Sequence, residues 1–289
     1  MDADLDLLLI AVFCTADDLL PVRAANARRM VTDAEVVTLA VAQQLLGIRS
    51  DEQFAATAPI RLRHLFPRLP KRPGYVKRRQ RLSDIIEQLI AEFAQHTTGG
   101  EDDLLLVDST PVECGRSVET TRRSALADAA DYGWCASHSR YFWGFRLHGL
   151  FALDGTPRAL ALTSPKLGER DVALALLGRV NRNGHLVAIG DKGYAGAQFE
   201  ADAAALDTTI VRPRRKDEPG RGPHLAPIRQ RIESIYWTAK DILTLERHGA
   251  RTLHGLRTRL ACRFLALAAA VALNHRLGLP SRSLAQYIA

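Results

Sequence analysis

Leu104 to Val112, LLLVDSTPV, runs four apolar residues directly into one carboxylate, Asp108. A continuous apolar run that ends at a turn signal is typical of a buried strand. The pattern therefore predicts a strand over 104–107, with Asp108 at or near its end. A carboxylate in that position is costly unless it is paired or binds a metal. Taken alone, the stretch leaves a second interpretation open, in which Asp108 only forms the turn after the strand.

A second carboxylate follows a similar strand. His185 to Ile189, HLVAI, is a short apolar run that leads through Gly190 into Asp191. If the two strands are neighbours in one sheet, their carboxylates emerge close together, where open α/β sheets place their sites. Two nearby carboxylates repel each other and invite a divalent cation, and hard oxygen ligands suit magnesium or manganese.

Glu233 is the best candidate for a third carboxylate. It lies in residues 228–243, IRQRIESIYWTAKDIL, which has the periodicity of a helix. At 3.6 residues per turn, Arg229, Glu233, Trp237 and Lys240 share one face. Such a face can hold a metal through its acid and clamp phosphates through its two cations. A plain intrahelical salt bridge between Arg229 and Glu233 is the alternative.

The chain changes character near residue 100. Up to about residue 98 it predicts helices only, one of them opened by Thr32 and Glu35 in a capping-box pattern. Beyond the break at Thr97-Thr98-Gly99-Gly100, the predicted order is a strand, a two-stranded hairpin, a helix, a strand, a helix, a strand and two helices. We therefore expect an all-α N-terminal domain over 1–100 and an α/β domain with a mixed sheet and C-terminal helices over 101–289.

One segment of the first domain is strongly basic. Between Arg61 and Arg81 there are nine Lys and Arg residues and no Asp or Glu. A run of this kind either covers a solvated face or forms a surface for a phosphate backbone, and its lack of any counter-charge favours the second. The residues of this run that we expect to contact DNA are Arg72, Lys77, Arg78, Arg79 and Arg81.

Composition fits a globular protein with a polyanionic partner. The 289 residues are 47% apolar and 25% charged, with a net charge of +7. The four cysteines have no metal-binding spacing, which favours reduced thiols. The acidic start MDADLD opposes a signal peptide, and no apolar run reaches the roughly 20 residues of a membrane span. We expect a cytoplasmic protein without membrane contact, associated with the nucleoid when bound to DNA.

Three motifs together resemble the Asp-Asp-Glu (DDE) transposases of bacterial insertion sequences, and most resemble the insertion-sequence 982 family. The motifs are VDSTPV, GDKGY and RQRIESIYWTAK. The resemblance implies a ribonuclease H-like fold with a mixed five-stranded sheet flanked by helices. It makes Asp108, Asp191 and Glu233 the catalytic triad. Arg229 and Lys240 match the basic residues of the family's Tyr-Arg-Glu-Lys signature, whose tyrosine would fall at Ala226.

The resemblance also implies a reaction. Two Mg²⁺ or Mn²⁺ ions held by the triad would support phosphodiester hydrolysis and then strand transfer. Asp108 would bridge both ions, and Asp191 and Glu233 would each hold one. Arg229, Lys240 and Lys192 would contact the DNA backbone. The partners would be terminal inverted repeats, recognised by the N-terminal domain, and target DNA, with a homodimer joining two element ends.

Two alternatives remain at this point. A ribonuclease H-like nuclease or Holliday-junction resolvase would share the metal site without performing strand transfer. A catalytically silent, transposase-derived DNA-binding protein would be favoured by the loss of one acid, but all three acids are present. The basic N-terminal region and the long C-terminal helices favour a transposase.

Overall fold

The chain forms two compact units. A computed structural model describes residues 3–21, 30–135, 139–215, 218 and 225–288. The helical unit comprises Met1–Phe93 and Ala239–Ala289, and the sheet unit comprises Ala94–Thr238. The predicted boundary at residue 100 groups the C-terminal helices with the sheet, whereas the structure groups residues 239–289 with the N-terminal helices.

One long apolar helix explains this grouping. The helices that the structure describes here are α1 (Ala3–Leu19), α2 (Asp33–Leu45), α3 (Asp51–Arg61), α4 (Arg72–Arg81), α5 (Ser83–Gln95) and α10 (Leu253–Leu277). Almost every residue of α10 between Gly255 and Asn274 is buried, and the helix packs against α1 and α2. A helix that is apolar on nearly every face must be enclosed by other elements, and the N-terminal helices enclose this one.

The predicted start and end of α2 are confirmed. Thr32 Oγ1 accepts a hydrogen bond from the Glu35 N–H at 3.1 Å, and Glu35 Oε2 accepts one from the Thr32 N–H at 2.5 Å. This reciprocal pair satisfies two backbone donors that the first turn of a helix leaves unpaired. After the helix, Gly47 has φ of +64°, a conformation that glycine adopts without strain.

The described residues of the sheet unit form a mixed six-stranded sheet. Its strands are β1 (Leu104–Gly115), β2 (Asp131–Cys135), β3 (Arg140–Ala152), β4 (Pro157–Thr163), β5 (Leu186–Ile189) and β6 (Thr208–Val211). The order is β2-β3-β1-β5-β6, and β4 pairs with β3. The β1, β5 and β6 strands are parallel, and the remaining pairs are antiparallel. This curled mixed sheet with flanking helices is consistent with the predicted ribonuclease H-like fold.

The sheet has one strand more than the sequence predicted. The predicted order has no element between the first strand and the hairpin, but β1 continues to Gly115 and β2 follows a short helix, α6 (Val118–Arg123). Among the described strands, β2 pairs only with β3, and Tyr132 and Trp134 on its outer face are exposed. An edge strand with an exposed face lacks the continuous apolar run by which buried strands are identified.

Two helices between the parallel strands complete the core. They are α7 (Glu169–Leu177) and α8 (Ala197–Ala205). Leu105 and Val107 of β1 pack with Leu176 and Leu177 of α7 and with Phe199 of α8 in one apolar cluster. The sheet is thereby held rigidly at the strand ends where the predicted acids lie.

The helix that carries Glu233 is shorter than predicted. The periodic pattern over residues 228–243 predicts one continuous helix, but α9 (Ala226–Trp237) gives way to a π-helical turn at Thr238–Ile242 and a 3-10 turn at Leu245–Arg247. A π-helical turn bonds each residue to the fifth one along, and so it changes the helical phase. The predicted common face of Glu233 and Lys240 assumed an unbroken α-helix, whereas a π-helical turn separates the two residues.

The four cysteines, Cys14, Cys114, Cys135 and Cys262, form no disulfide among the described residues. No helix in the described ranges is long and apolar enough to cross a membrane.

Candidate active site

The register of β1 and β5 brings the first two predicted acids together. Leu106 of β1 pairs with Ile189 at the end of β5. Asp108 and Asp191 each follow two residues later, so both leave the parallel pair at the same level. The expected position of Asp108 needs one correction, because β1 continues past it in antiparallel pairing with β3. What ends near Asp108 is the pairing with β5.

Pro111 is compatible with this extension of β1. It lies opposite Arg146 of β3, and the pairing of β1 with β5 has already ended. A proline cannot donate a ladder hydrogen bond and is therefore tolerated where one side of the strand is unpaired. The sequence signal that suggested a turn thus marks the edge of the parallel sheet.

Asp108 is a strongly perturbed carboxyl. Burial raises the pKa of Asp108 to about 7, and the negative charges of Asp191 and Glu169 act in the same direction. The Ser109 N–H, which donates to Asp108 Oδ1 at 2.7 Å, and the positive charge of Arg229 oppose the rise in pKa. Carboxylates that destabilise one another's charge in a desolvated site are arranged as they would be around a cation.

Asp191 is held by the turn that it begins. Its side chain accepts a hydrogen bond at 2.7 Å from the N–H of Gly193, within the 3-10 turn Lys192–Tyr194. Arg170 donates to the Gly193 carbonyl at 2.9 Å and fastens this turn to α7. The carboxylate is half-buried and keeps acceptor capacity for a ligand.

Glu169 is a further acid beside Asp108 that the sequence motifs do not predict as a site residue. It begins α7 and accepts a hydrogen bond from Arg146 Nη1 at 2.5 Å. The same nitrogen donates to Ser109 Oγ at 3.1 Å, and Nη2 donates to the Trp134 carbonyl at 2.7 Å. Arg146 therefore ties α7 and β2 to the residue next to Asp108. The only sequence signal was the position of Glu169 at the start of a helix that follows a strand.

Two buried tyrosines, Tyr194 and Tyr236, lie next to Asp108. The Tyr236 O–H donates to the carbonyl of Asp108 at 2.9 Å, and its ring packs edge-on against Phe151. The Tyr194 O–H has no hydrogen-bond partner among the described residues. Burial raises the pKa of both phenols, and the charge of Asp108 adds to the effect, so both remain neutral at ordinary pH.

The α9 helix carries the third predicted acid to the same region. Tyr236 anchors this helix to β1, and Arg229 of the same helix contributes positive charge at Asp108. Glu233 lies between them in sequence and makes a loose ion pair with Arg229 at 3.9 Å. Its side chain is 65% exposed, and it is therefore free to change rotamer.

The three acids do not form a closed metal cage in this structure. Within the described ranges, no three His, Cys, Asp or Glu side chains lie close enough together to hold an ion. Asp108 and Asp191 are brought together by the sheet, and Glu233 stands apart on the neighbouring helix. The donors are carboxylate oxygens in a site with excess negative charge, which suits a divalent cation such as Mg²⁺.

A comparison with protein families identifies the chain. The model of the transposase DDE domain matches residues 99–269, which is more than half of the sequence. The chain belongs to the DDE transposase family. Comparisons with curated proteins and with solved structures find no match. The matched range contains all three predicted acids and also reaches into α10.

The transposase carries two lysines that the sequence placed beside the triad. Lys192 directly follows Asp191 and is exposed, so it lies at the edge of the candidate site. Lys240 lies in the π-helical turn and pairs with Glu246 at 3.5 Å. Of these two lysines, Lys192 is the one that an element of the sheet unit brings to the two aspartates.

Two arginines of the basic segment have partners within the helical unit. Arg79 is 2% exposed, and its Nη1 lies 2.9 Å from Asp51 Oδ1. Arg78 pairs with Asp33 at 2.5 Å and donates to the Val31 carbonyl. The sequence does not predict these pairs, since Asp33 and Asp51 lie outside the basic run and reach it only through the fold.

The other three basic residues face outward. Lys77 and Arg81 are exposed along α4. Arg72, which begins that helix, is also exposed and pairs with Glu52 at 2.9 Å. These three side chains keep the surface position that the prediction of DNA contacts requires.

Proposed function

We propose that this transposase cuts DNA at the ends of an insertion sequence and joins the freed 3′-hydroxyl to target DNA. The proposal rests on one observation: the parallel register of β1 and β5 sets Asp108 and Asp191 at one level, beside a helix that carries an exposed glutamate. Carboxylates grouped in this way are the donor set of metal-assisted phosphoryl transfer. The likeness in sequence to the insertion-sequence 982 family is the narrower assignment within this proposal.

We assign the metal ligands to the three acids. Asp108 would be shared between two Mg²⁺ or Mn²⁺ ions, and Asp191 and Glu233 would each hold one. When bound, such ions activate the attacking oxygen and stabilise the leaving oxygen. The excess negative charge at Asp108 supports this assignment, and the exposed side chain of Glu233 has the freedom to turn towards the aspartates.

The two steps of the reaction balance without ATP. In the first step, water attacks a phosphodiester at the end of the element, the bond from phosphorus to the 3′-oxygen breaks, and a 3′-hydroxyl is released. In the second step, that hydroxyl attacks a phosphodiester of the target, and the target's 3′-oxygen leaves. Arg229 and Lys192 would hold the DNA backbone at the site, with Lys240 as a further contact.

The helical unit would bind the terminal inverted repeats. Arg72, Lys77 and Arg81 are exposed and suited to contact phosphates, which position DNA without reading its sequence. Arg78 and Arg79 would support this surface from within, because Asp33 and Asp51 occupy their guanidinium groups. Joining two ends in one complex also requires two active sites, which favours a homodimer on DNA.

The experiment uses a plasmid that carries the coding sequence with its flanking DNA. We expect the native protein to nick this plasmid in the presence of Mg²⁺ and to produce joined products. Asp108→Asn should bind the plasmid with native affinity and produce no nicks. Asp128→Asn, which makes the same change at an exposed residue outside the site, should behave as the native protein does.

The outcomes separate the alternatives. Nicking by Asp108→Asn at the native rate would refute the assignment of the acids. Nicking without any joined product by the native protein would favour the nuclease, which shares the acids but performs no strand transfer. Binding without nicking by the native protein would favour the catalytically silent DNA-binding protein.

A further inference from the structure

The helical unit contains a cavity of about 800 Å³ that is rich in arginine. It is lined by the start of α3, one side of α4 and the segment that leads into α10. Among the described residues, two carboxylates line it, those of Asp51 and Glu52. Six arginines also line it: Arg49, Arg72, Arg79, Arg247, Arg251 and Arg259. The cavity thus has a large surplus of positive charge.

The inner wall of the cavity is fixed by one acid between two arginines. Asp51 Oδ1 lies 2.9 Å from Arg79 Nη1, and Asp51 Oδ2 lies 2.6 Å from Arg259 Nη2. Arg79 Nη1 also donates to Gln43 Oε1 at 2.7 Å, and the Tyr75 O–H donates to the same oxygen at 2.7 Å. Each of these side chains has a protein partner, so the wall is pre-organised and still carries net positive charge.

The outer rim has arginines that form no ion pair with any described residue. Arg72 pairs with Glu52 at 2.9 Å, which accounts for the second carboxylate. Arg49, Arg247 and Arg251 are exposed, and no carboxylate of the described residues lies within ion-pair distance of them. Three such guanidiniums around one opening repel each other, and an anion between them removes that cost.

Two helices also point their positive ends at the cavity. Ser50 caps α3 and Thr252 caps α10, and both residues line the cavity. The first N–H groups of a helix and its dipole favour a negative group near its N-terminus. The helix ends therefore reinforce the arginines.

We propose that this cavity binds phosphate groups. Guanidiniums present paired donors that match phosphate oxygens, and here they come from three separate segments and surround the opening. The volume exceeds that of one phosphate and accepts a short sugar–phosphate segment. Identifying DNA as the source of the phosphates rests on the proposed function, whereas affinity for phosphate itself does not.

The test compares two double variants. Arg247→Ser with Arg251→Ser removes two rim charges, and Arg257→Ser with Arg276→Ser removes two exposed charges of α10 away from the cavity. The first probe is inorganic phosphate, measured by the rise in melting temperature. The second is a fluorescent DNA duplex of arbitrary sequence, whose binding is measured against salt concentration. Both assays contain EDTA and score no cleavage, so a failure of the proposed catalysis does not affect them.

We expect phosphate to stabilise the native protein and the control variant but not the rim variant. If DNA is the source, the slope of log binding constant against log salt also becomes shallower by about 0.9 for each phosphate that the rim variant no longer neutralises. If the rim variant loses the stabilisation by phosphate but keeps the native salt dependence of DNA binding, the cavity is a site for a free phosphate or nucleotide. The proposal is overturned if the rim variant matches the control in both assays. Arg49→Ser, which changes a lining arginine of another segment, repeats the test with a single change.

Discussion

At the scale of single residues, the candidate site is built around Asp108, whose pKa burial raises to about 7 beside Asp191 and Glu169. Short apolar strands before Asp108 and Asp191 predicted that the two acids emerge close together if the strands are neighbours, and β1 and β5 are parallel neighbours. Glu169 and Arg146 could not be found in this way. They are joined to Ser109 by side-chain bonds across three elements, and such contacts depend on packing that no local pattern encodes.

His148 provides a prediction at this scale. It is 1% exposed on β3, and its Nε2 lies 3.1 Å from Thr163 Oγ1. Burial lowers the pKa of His148 from 6.5 to about 4, and the charge of Arg146 contributes. As pH falls from 6.5 towards 4, the unfolded chain takes up a proton that the folded protein refuses. Stability is therefore lost in that window, by about 2 kcal/mol at about pH 5.

Urea unfolding of the native protein and of His148→Gln at about pH 7.5 and pH 5 measures this loss. Glutamine keeps a polar group near Thr163 and does not titrate. We expect the native protein to lose about 2 kcal/mol more than the variant on acidification. Equal losses in the two proteins would show that His148 does not resist protonation.

At the scale of elements, the sequence predicts both ends of α2 but not the change of helical phase after α9. The capping box of α2 and the glycine after it are written in adjacent residues, and both are confirmed. The π-helical turn after α9 has no such signature, because the periodic pattern runs through it unbroken. The prediction that Lys240 shares a face with Glu233 assumed that the α-helical phase continues through this turn. The β2 strand was missed because its outer face is exposed.

Thr32 tests the contribution of local chemistry. Thr32→Ala removes the hydroxyl that accepts from the Glu35 N–H, and we expect it to lower the free energy of unfolding by about 1 kcal/mol. Thr32→Ser keeps the hydroxyl and should stay close to the native value. Thr57→Ala is a control within α3, where the hydroxyl bonds only to the Gln53 carbonyl among the described residues. A loss for Thr57→Ala as large as that for Thr32→Ala would contradict a specific capping effect.

At the scale of the whole molecule, the sequence predicts a single boundary at residue 100, whereas contacts divide the chain after Phe93 and again after Thr238. The change from helices to strands marks the first boundary, near residue 93. The second, at residue 239, depends on which helices enclose α10. Its apolar surface predicts burial on every side without naming a partner. The family match from residue 99 to residue 269 likewise spans the sheet unit and part of the helical unit.

Glu233 is proposed to act with Asp108 and Asp191, although it stands apart from them on α9. The most direct test is the rate of Mg²⁺-dependent plasmid nicking by Glu233→Gln. Glu119→Gln is the matched control, since Glu119 is 68% exposed and pairs with an arginine four residues away, as Glu233 does. We predict a loss of about 100-fold or more for Glu233→Gln, with native affinity for DNA and an unaffected control. Nicking by Glu233→Gln at the native rate would show that Glu233 does not act with the two aspartates.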